Sequence, residues 1–200
     1  MSEIKVVIDG VGSCIPDNVI KNEDFLNAEF YQENGEPFEA DNAVIIEKFK
    51  SITGIQERRY ANNDQATSDL AAIAAENALT NSSINGEDLD YIIMAHNFGD
   101  ISYKSNRSDM MPSLAARVKN KLGIKKPSLT CFDVIFGCPG WLQAAIQATQ
   151  MIKSGEATNI LVIGAEAISR IVDKYDRNSM IFSDGAGATI FRAAPEHTNG

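Results

Sequence analysis

The apolar positions of this chain change period repeatedly, and those changes divide it into short strands and helices. Continuous or alternating apolar runs predict strands over 5–13, 89–95, 128–135, 159–164 and 188–192. Helical spacing predicts helices over 43–51, 69–79, 112–122 and 139–154, with a shorter helical turn opening at Asn22. The punctuation agrees. Gly54, Gly123 and Gly155 stand just past three of these helices, Thr67 or Ser68 is placed to cap the second, and Pro112 to open the third. The polar segment 30–42, with Gly35 and Pro37, reads as an inserted loop, and 57–60 as a loop or sheet edge. Strands alternating with helices across short connections predict a layered α/β fold.

The last helix carries the most information. Leu142, Ala145, Ile146, Thr149 and Ile152 form one apolar stripe, widened by Ala144 and Ala148, so the helix is expected to be largely buried. Just before it, Phe136-Gly137-Cys138-Pro139-Gly140 sets a thiol where a strand turns sharply into that helix. Such a position turns free backbone N–H groups and the positive end of the helix dipole toward the sulfur, which favours the nucleophilic thiolate. Gly137 and Gly140 permit a tight backbone and close approach by a substrate. Two readings stand at this point: an activated nucleophile, or a structural cysteine buried at a glycine-rich turn.

Composition narrows the field. The chain has 200 residues, 44% hydrophobic and 22% charged, enough for one real core, and no apolar run approaches the roughly 20 residues of a membrane span. A net charge of −9 argues against general nucleic-acid binding. The three cysteines, Cys14, Cys131 and Cys138, form neither a disulfide framework nor a zinc pattern. They fit a reducing cytoplasm, and the start of the chain shows no secretory signal. No metal site is expected: His96 and His197 lie far apart and read as hydrogen-bonded or surface residues. Arg117, Lys119, Lys121, Lys125 and Lys126 form a basic cluster that reads as a solvated face. Gly185 and Gly187 are a weak phosphate-loop signal without a Walker lysine.

Residues 131–191 resemble the nucleophile region of β-ketoacyl-acyl-carrier-protein synthase III. The likeness rests on Phe132-Asp133 followed by Gly137-Cys138-x-Gly140, on Ile152-Lys153-Ser154-Gly155 with 161–166 (LVIGAE), and on Asp176-Arg177 with 183–188 (SDGAGA). Earlier segments agree in order: Gly10, Gly12 and Pro16, then Thr53-Gly54-Ile55 with Arg58-Arg59, then Met111-Pro112-Ser113-x-Ala115. The resemblance implies a thiolase-like layered α/β fold of two similar halves, of which 1–200 would be the first, with the catalytic histidine and asparagine in the second. It implies Cys138 as the residue that is acylated, with its own N–H as part of an oxyanion hole. The acyl donor would be acyl-CoA or an acyl-carrier protein, with no further cofactor, and the working form a homodimer.

The resemblance also assigns peripheral roles. Lys48 and Ile52 stand where the family has a tryptophan and an arginine for the CoA adenine and phosphate, so adenine stacking is expected to be weak, leaving Lys48 to meet a phosphate. Arg177 keeps the place of the family's partner arginine. Met111 replaces a phenylalanine that reaches the acyl pocket of the partner subunit, which points to longer or irregular acyl groups. The leading expectation is a decarboxylative condensing enzyme, incomplete in the chain as given. A specialised acyltransferase joining two bulky acyl units and a non-catalytic partner subunit are the alternatives.

Overall fold

Five strands form one mixed sheet in a computed structural model that describes residues 4–194. The strands of this sheet are β1 (Val6–Cys14), β4 (Tyr91–Ala95), β7 (Thr130–Val134), β8 (Asn159–Glu166) and β9 (Gly185–Ala193), in the order β1-β9-β8-β4-β7. β4 runs parallel to both β7 and β8, whereas β9 runs antiparallel to β8 and β1. Two short antiparallel pairs lie outside it: β2 (Asn18–Lys21) with β3 (Glu57–Tyr60), and β5 (Asp100–Ile101) with β6 (Ser108–Asp109). The helices are α1 (Asn42–Thr53), α2 (Thr67–Thr80), α3 (Leu114–Lys121) and α4 (Gly140–Lys153).

The alternation of side chains along each strand decides which helix covers which face. Ile92, Met94, Leu161, Ile163 and Ile190 pack with α2 and α3, whose Leu70, Ala74, Ala78, Leu114 and Val118 are fully buried. Ile93, Ile160, Val162 and Phe191 point the other way and pack with Ala144, Ala148 and Ile152 of α4. The result is three layers, helix–sheet–helix. The alanines of α2 let it lie directly on β1. A Cβ built on Gly12 would stand 2.3 Å from both Ala74 O and Ala78 N, so only glycine admits the contact. Asn77 and Asn81 then donate from α2 to the carbonyls of Ser13 and Val11.

Several expectations shift. Ala66 caps α2 and Asp69 accepts from its N–H, while Thr67 and Ser68 fall in the first turn and bond instead to Gly99 O and Asp100. α3 starts at Leu114 with Ser113 as its cap, accepting the Ala116 N–H, so Pro112 precedes the helix rather than opening it. β9 begins at Gly185, so the glycine-rich stretch serves sheet pairing rather than a phosphate loop. The basic cluster is a solvated, paired face: Arg117 meets Asp100 and Asp109, Lys121 meets Asp69, and Lys126 meets Asp90. The segment 57–60 is a strand, and its Arg58 is buried, donating to Met180 O, Ile20 O and Asn22 Oδ1 beneath the rings of Phe25 and Phe49.

The stripe on α4 is only half covered. Ala144, Ala145, Ala148 and Ile152 face the sheet, but Leu142 is 56% exposed and Ile146 44%. Periodicity marks the apolar side of a helix but not what lies against it. No helix among the described residues is long and apolar enough to cross a membrane.

Candidate active site

The parallel strands β4, β7 and β8 end together, and the residues that follow them meet in one pocket of about 280 Å³. β4 contributes Ala95, His96 and Asn97, β7 leads to Gly137 and Cys138, and β8 supplies Gly164, Ala165 and Glu166. Crevices at the carboxyl ends of parallel strands are where α/β proteins hold ligands, because the helices that follow present their N-termini there.

Cys138 sits two residues ahead of α4, in a turn that Gly140 N–H closes onto Gly137 O at 3.0 Å. Gly137 holds φ at +71°, a left-handed conformation that costs glycine little and other residues much. Pro139 occupies the cap position just before α4 rather than its first turn. The Cys138 thiol is exposed to the pocket, and its backbone N–H makes no hydrogen bond among the described residues. The other two thiols differ. Burial raises Cys14 above the ordinary thiol value, with Asp17 adding to it, and burial likewise raises Cys131.

Behind the pocket, Asp133 ties three elements together. Its carboxylate accepts the N–H groups of Leu114 and Ala115 at the start of α3, at 2.7 and 2.9 Å, and meets His96 Nε2 at 3.1 Å. Gly99 N–H donates to His96 Nδ1 at 3.1 Å, which places the ring proton on Nε2, facing the carboxylate. Both nitrogens are thus engaged and the side chain is fully buried, so His96 lines the pocket without a free nitrogen to act as a base. His197 lies outside the described residues. No group of three or more His, Cys, Asp or Glu side chains able to hold a metal occurs among them.

Burial by itself would raise the Asp133 carboxyl, but His96 and the Ala115 and Leu114 N–H groups outweigh it and hold the group below its ordinary value. The stabilisation is complete above the ordinary carboxylate value near pH 4 and disappears as pH falls through the depressed native one. Asp133→Asn is therefore expected to flatten the acid limb of stability, read as melting temperature against pH. An acid limb as steep as that of the unaltered protein would place the titration elsewhere.

Glu166 was not legible as a site residue. It ends β8, where it accepts Asn97 N–H at 2.7 Å and faces the same pocket as Cys138. Burial pushes its carboxyl above the ordinary range, against the bonding from Asn97 and the pull of His96, and the nearby Asp184 adds to the rise. The signal available in the sequence was an acid closing an otherwise apolar strand.

Lys48 and Arg177 come together away from Cys138, in a separate groove of about 380 Å³ that Ile52 also lines. Two aromatic rings share the groove. Phe38 and Phe49 line the groove, and the Arg177 guanidinium lies 4.7 Å from the centre of the Phe38 ring. Phe38 belongs to the polar insertion, where no helical or strand period pointed to it. Met111 is 83% exposed and does not line the Cys138 pocket of its own chain.

The chain is similar to proteins of one family. A family profile for 3-oxoacyl-acyl-carrier-protein synthase III matches residues 132–200. Beta-ketoacyl-acyl-carrier-protein synthase III of Fusobacterium nucleatum subsp. nucleatum is 41% identical over 184 residues, covering 92% of this chain and 49% of that protein. Its counterpart in Clostridium acetobutylicum is 37% identical over 198 residues, covering 98% of this chain and 53% of that one. The crystal structure of 3-oxoacyl-acyl-carrier-protein synthase III from Aquifex aeolicus VF5 superposes with a TM-score of 0.77 at 31% identity, covering 96% of this chain and 55% of that chain. The chain spans about half the length of the curated relatives it matches. Its fold is the layered α/β arrangement of these thiolase-like synthases.

Proposed function

We propose that this chain is the nucleophile-bearing first half of a decarboxylative condensing enzyme of the synthase III type, acting in the cytoplasm in fatty-acid or related lipid synthesis. One observation carries the reading: of the three thiols, only Cys138 is exposed, and it stands at the mouth of the parallel strands with its own N–H unpaired. In this reading the Cys138 thiolate attacks the carbonyl of an acyl thioester. A carbon–sulfur bond forms to the enzyme, the bond to the donor's sulfur breaks, and the donor leaves as thiolate. The Cys138 N–H meets the negative oxygen of the tetrahedral intermediate; Pro139 has no N–H to offer. A malonyl-carrier thioester then loses CO₂, its carbanion forms a carbon–carbon bond to the acyl carbonyl, the bond to the Cys138 sulfur breaks, and a β-ketoacyl thioester leaves with the Cys138 thiolate restored. Donors to that enolate are the histidine and asparagine assigned to the second half.

The groove shared by Lys48, Arg177, Phe38 and Phe49 is assigned to the donor's nucleotide or phosphopantetheine end, where two cations meet phosphate and two rings offer stacking surfaces. Met111 is assigned to the acyl pocket of a second copy in a homodimer, which its exposure permits. The test is intact-mass analysis of the natural gene product after incubation with acyl-CoA and with acyl-carrier protein. One acyl group per chain, mapped to Cys138, is the expected result. Label on Cys14 or Cys131 would overturn the assignment of the nucleophile, and no label from either donor would overturn the reading in favour of a non-catalytic partner subunit.

A further inference from the structure

The turn Arg177–Ile181 serves two cavities. Arg177, Asn178, Met180 and Ile181 line the donor groove, whereas Ser179 lines a separate cavity of about 540 Å³. Four parts of this chain wall that cavity: 25–29, Tyr60 at the end of β3, 169–175, and Ser179 itself. No lining residue is shared with the Cys138 pocket or the groove. Its polar groups are left without partners. Ser179 is 4% exposed, and its hydroxyl makes no hydrogen bond among the described residues. A buried hydroxyl in that state calls for a bound group. Tyr60 makes no hydrogen bond there through its side chain either. Burial raises its hydroxyl above the ordinary value against the pull of Arg58, with Asp184 adding to the rise, so it keeps a proton to donate. Lys174 and Glu29 bring one charge of each sign to the same cavity. Among the described residues they pair neither with each other nor with another charged group. The Lys174 ammonium has only the Tyr175 ring, 4.8 Å from its centre.

We propose that this cavity is a binding site for a free α-amino acid with an apolar, ring-bearing side chain. A zwitterion matches the two unpaired charges. Its carboxylate meets Lys174 and the hydroxyls of Tyr60 and Ser179, and its ammonium meets Glu29. The side chain fills the space among Phe25, Val172 and Tyr175, where aromatic walls favour a ring. A simple anion would be repelled by Glu29, a simple cation by Lys174, and an uncharged ligand would use neither group. The site goes beyond the acyl-transfer reading and stands whether or not Cys138 takes an acyl group.

The experiment is calorimetric titration of the intact gene product with three probes: L-phenylalanine, 3-phenylpropionate, which lacks the ammonium, and 2-phenylethylamine, which lacks the carboxylate. L-phenylalanine is expected to bind with a dissociation constant of roughly 1 mM or below, the range open to a ligand of its size. Each analogue should bind roughly five-fold more weakly, the worth of one partly solvated ion pair. Glu29→Gln should erase the preference over 3-phenylpropionate, and Lys174→Met the preference over 2-phenylethylamine. Both residues are exposed, so these variants keep the fold. Tyr60→Phe should weaken L-phenylalanine roughly ten-fold, through loss of a hydrogen bond to its carboxylate. No binding of L-phenylalanine at about 10 mM would overturn the inference. Equal affinity for all three probes would also overturn it, because the charges would then read nothing. So would preferences that survive Glu29→Gln and Lys174→Met, because the ligand would then sit elsewhere.

Discussion

Replacing Cys138 by serine in the intact gene product is expected to lower condensation by roughly 10³- to 10⁶-fold while leaving the fold intact, because the proposed mechanism rests the acyl chain on the group removed. The two side chains are nearly the same size, and Cys138 is exposed, so no core contact is lost. The chemistry changes instead. A serine hydroxyl is ionised far less readily than a thiol, and the oxygen ester it would form is a poorer acyl donor for the second step. His96 offers no rescue as a base, since its nitrogens are committed to Asp133 and Gly99. The measurement is kcat/KM for β-ketoacyl product, with melting temperature as the control for folding. A variant that retains a tenth of the activity would remove Cys138 from the centre of the mechanism.

The largest effect on stability is expected from Gly12→Val. The contact at Gly12 is backbone against backbone: Ala74 O, Ala78 N and the carbonyl carbon of Asn77 all lie within 2.8 Å of the position a Cβ would take. A flexible side chain could swing aside; two main chains tied into a helix and a sheet cannot. The valine would have to lift α2 from β1, opening the layer that buries Leu70, Ala74 and Ala78 and breaking the bonds from Asn77 and Asn81. Overpacking of this kind costs on the order of 3 kcal/mol or more, or roughly 6–12 °C in melting temperature for a domain of this size. Thermal unfolding of the intact gene product checks it. A shift below about 2 °C would mean that the helix and strand are not in rigid contact.

The strands and helices were largely legible because each carries its own period and its own punctuation. The details that escaped are those decided by neighbours distant in sequence. Thr67 and Ser68 looked like caps because their hydroxyls suit that role, yet residues more than thirty positions away claimed those hydroxyls. The segment 57–60 read as a loop or sheet edge, and nothing local shows that carbonyls from Ile20 and Met180 surround Arg58. The same limit applies to the site. Cys138 stood out through its turn, but Glu166 and Asn97 become a pair only when two parallel strands end side by side. Lys48 and Arg177 were linked by family resemblance alone, and the fold brings them into one groove. Phe38 escaped notice because a ring in a polar insertion has no period to betray it.

The sheet order carries a consequence for how the chain is made. β9 lies between β1 and β8, and β1 has no other neighbour in the sheet. β1 ends at Cys14 and β9 begins at Gly185. On a ribosome adding about 5–20 residues per second, the first strand therefore waits roughly ten to thirty-five seconds for the strand that completes it. Pairings this distant along the chain also slow folding, because the loop between them must close before the contacts reward it. Until then β1 has only helices to lie against, chiefly α2, and its apolar Val6, Val7 and Ile8 wait without a strand partner, a stretch that a chaperone could bind.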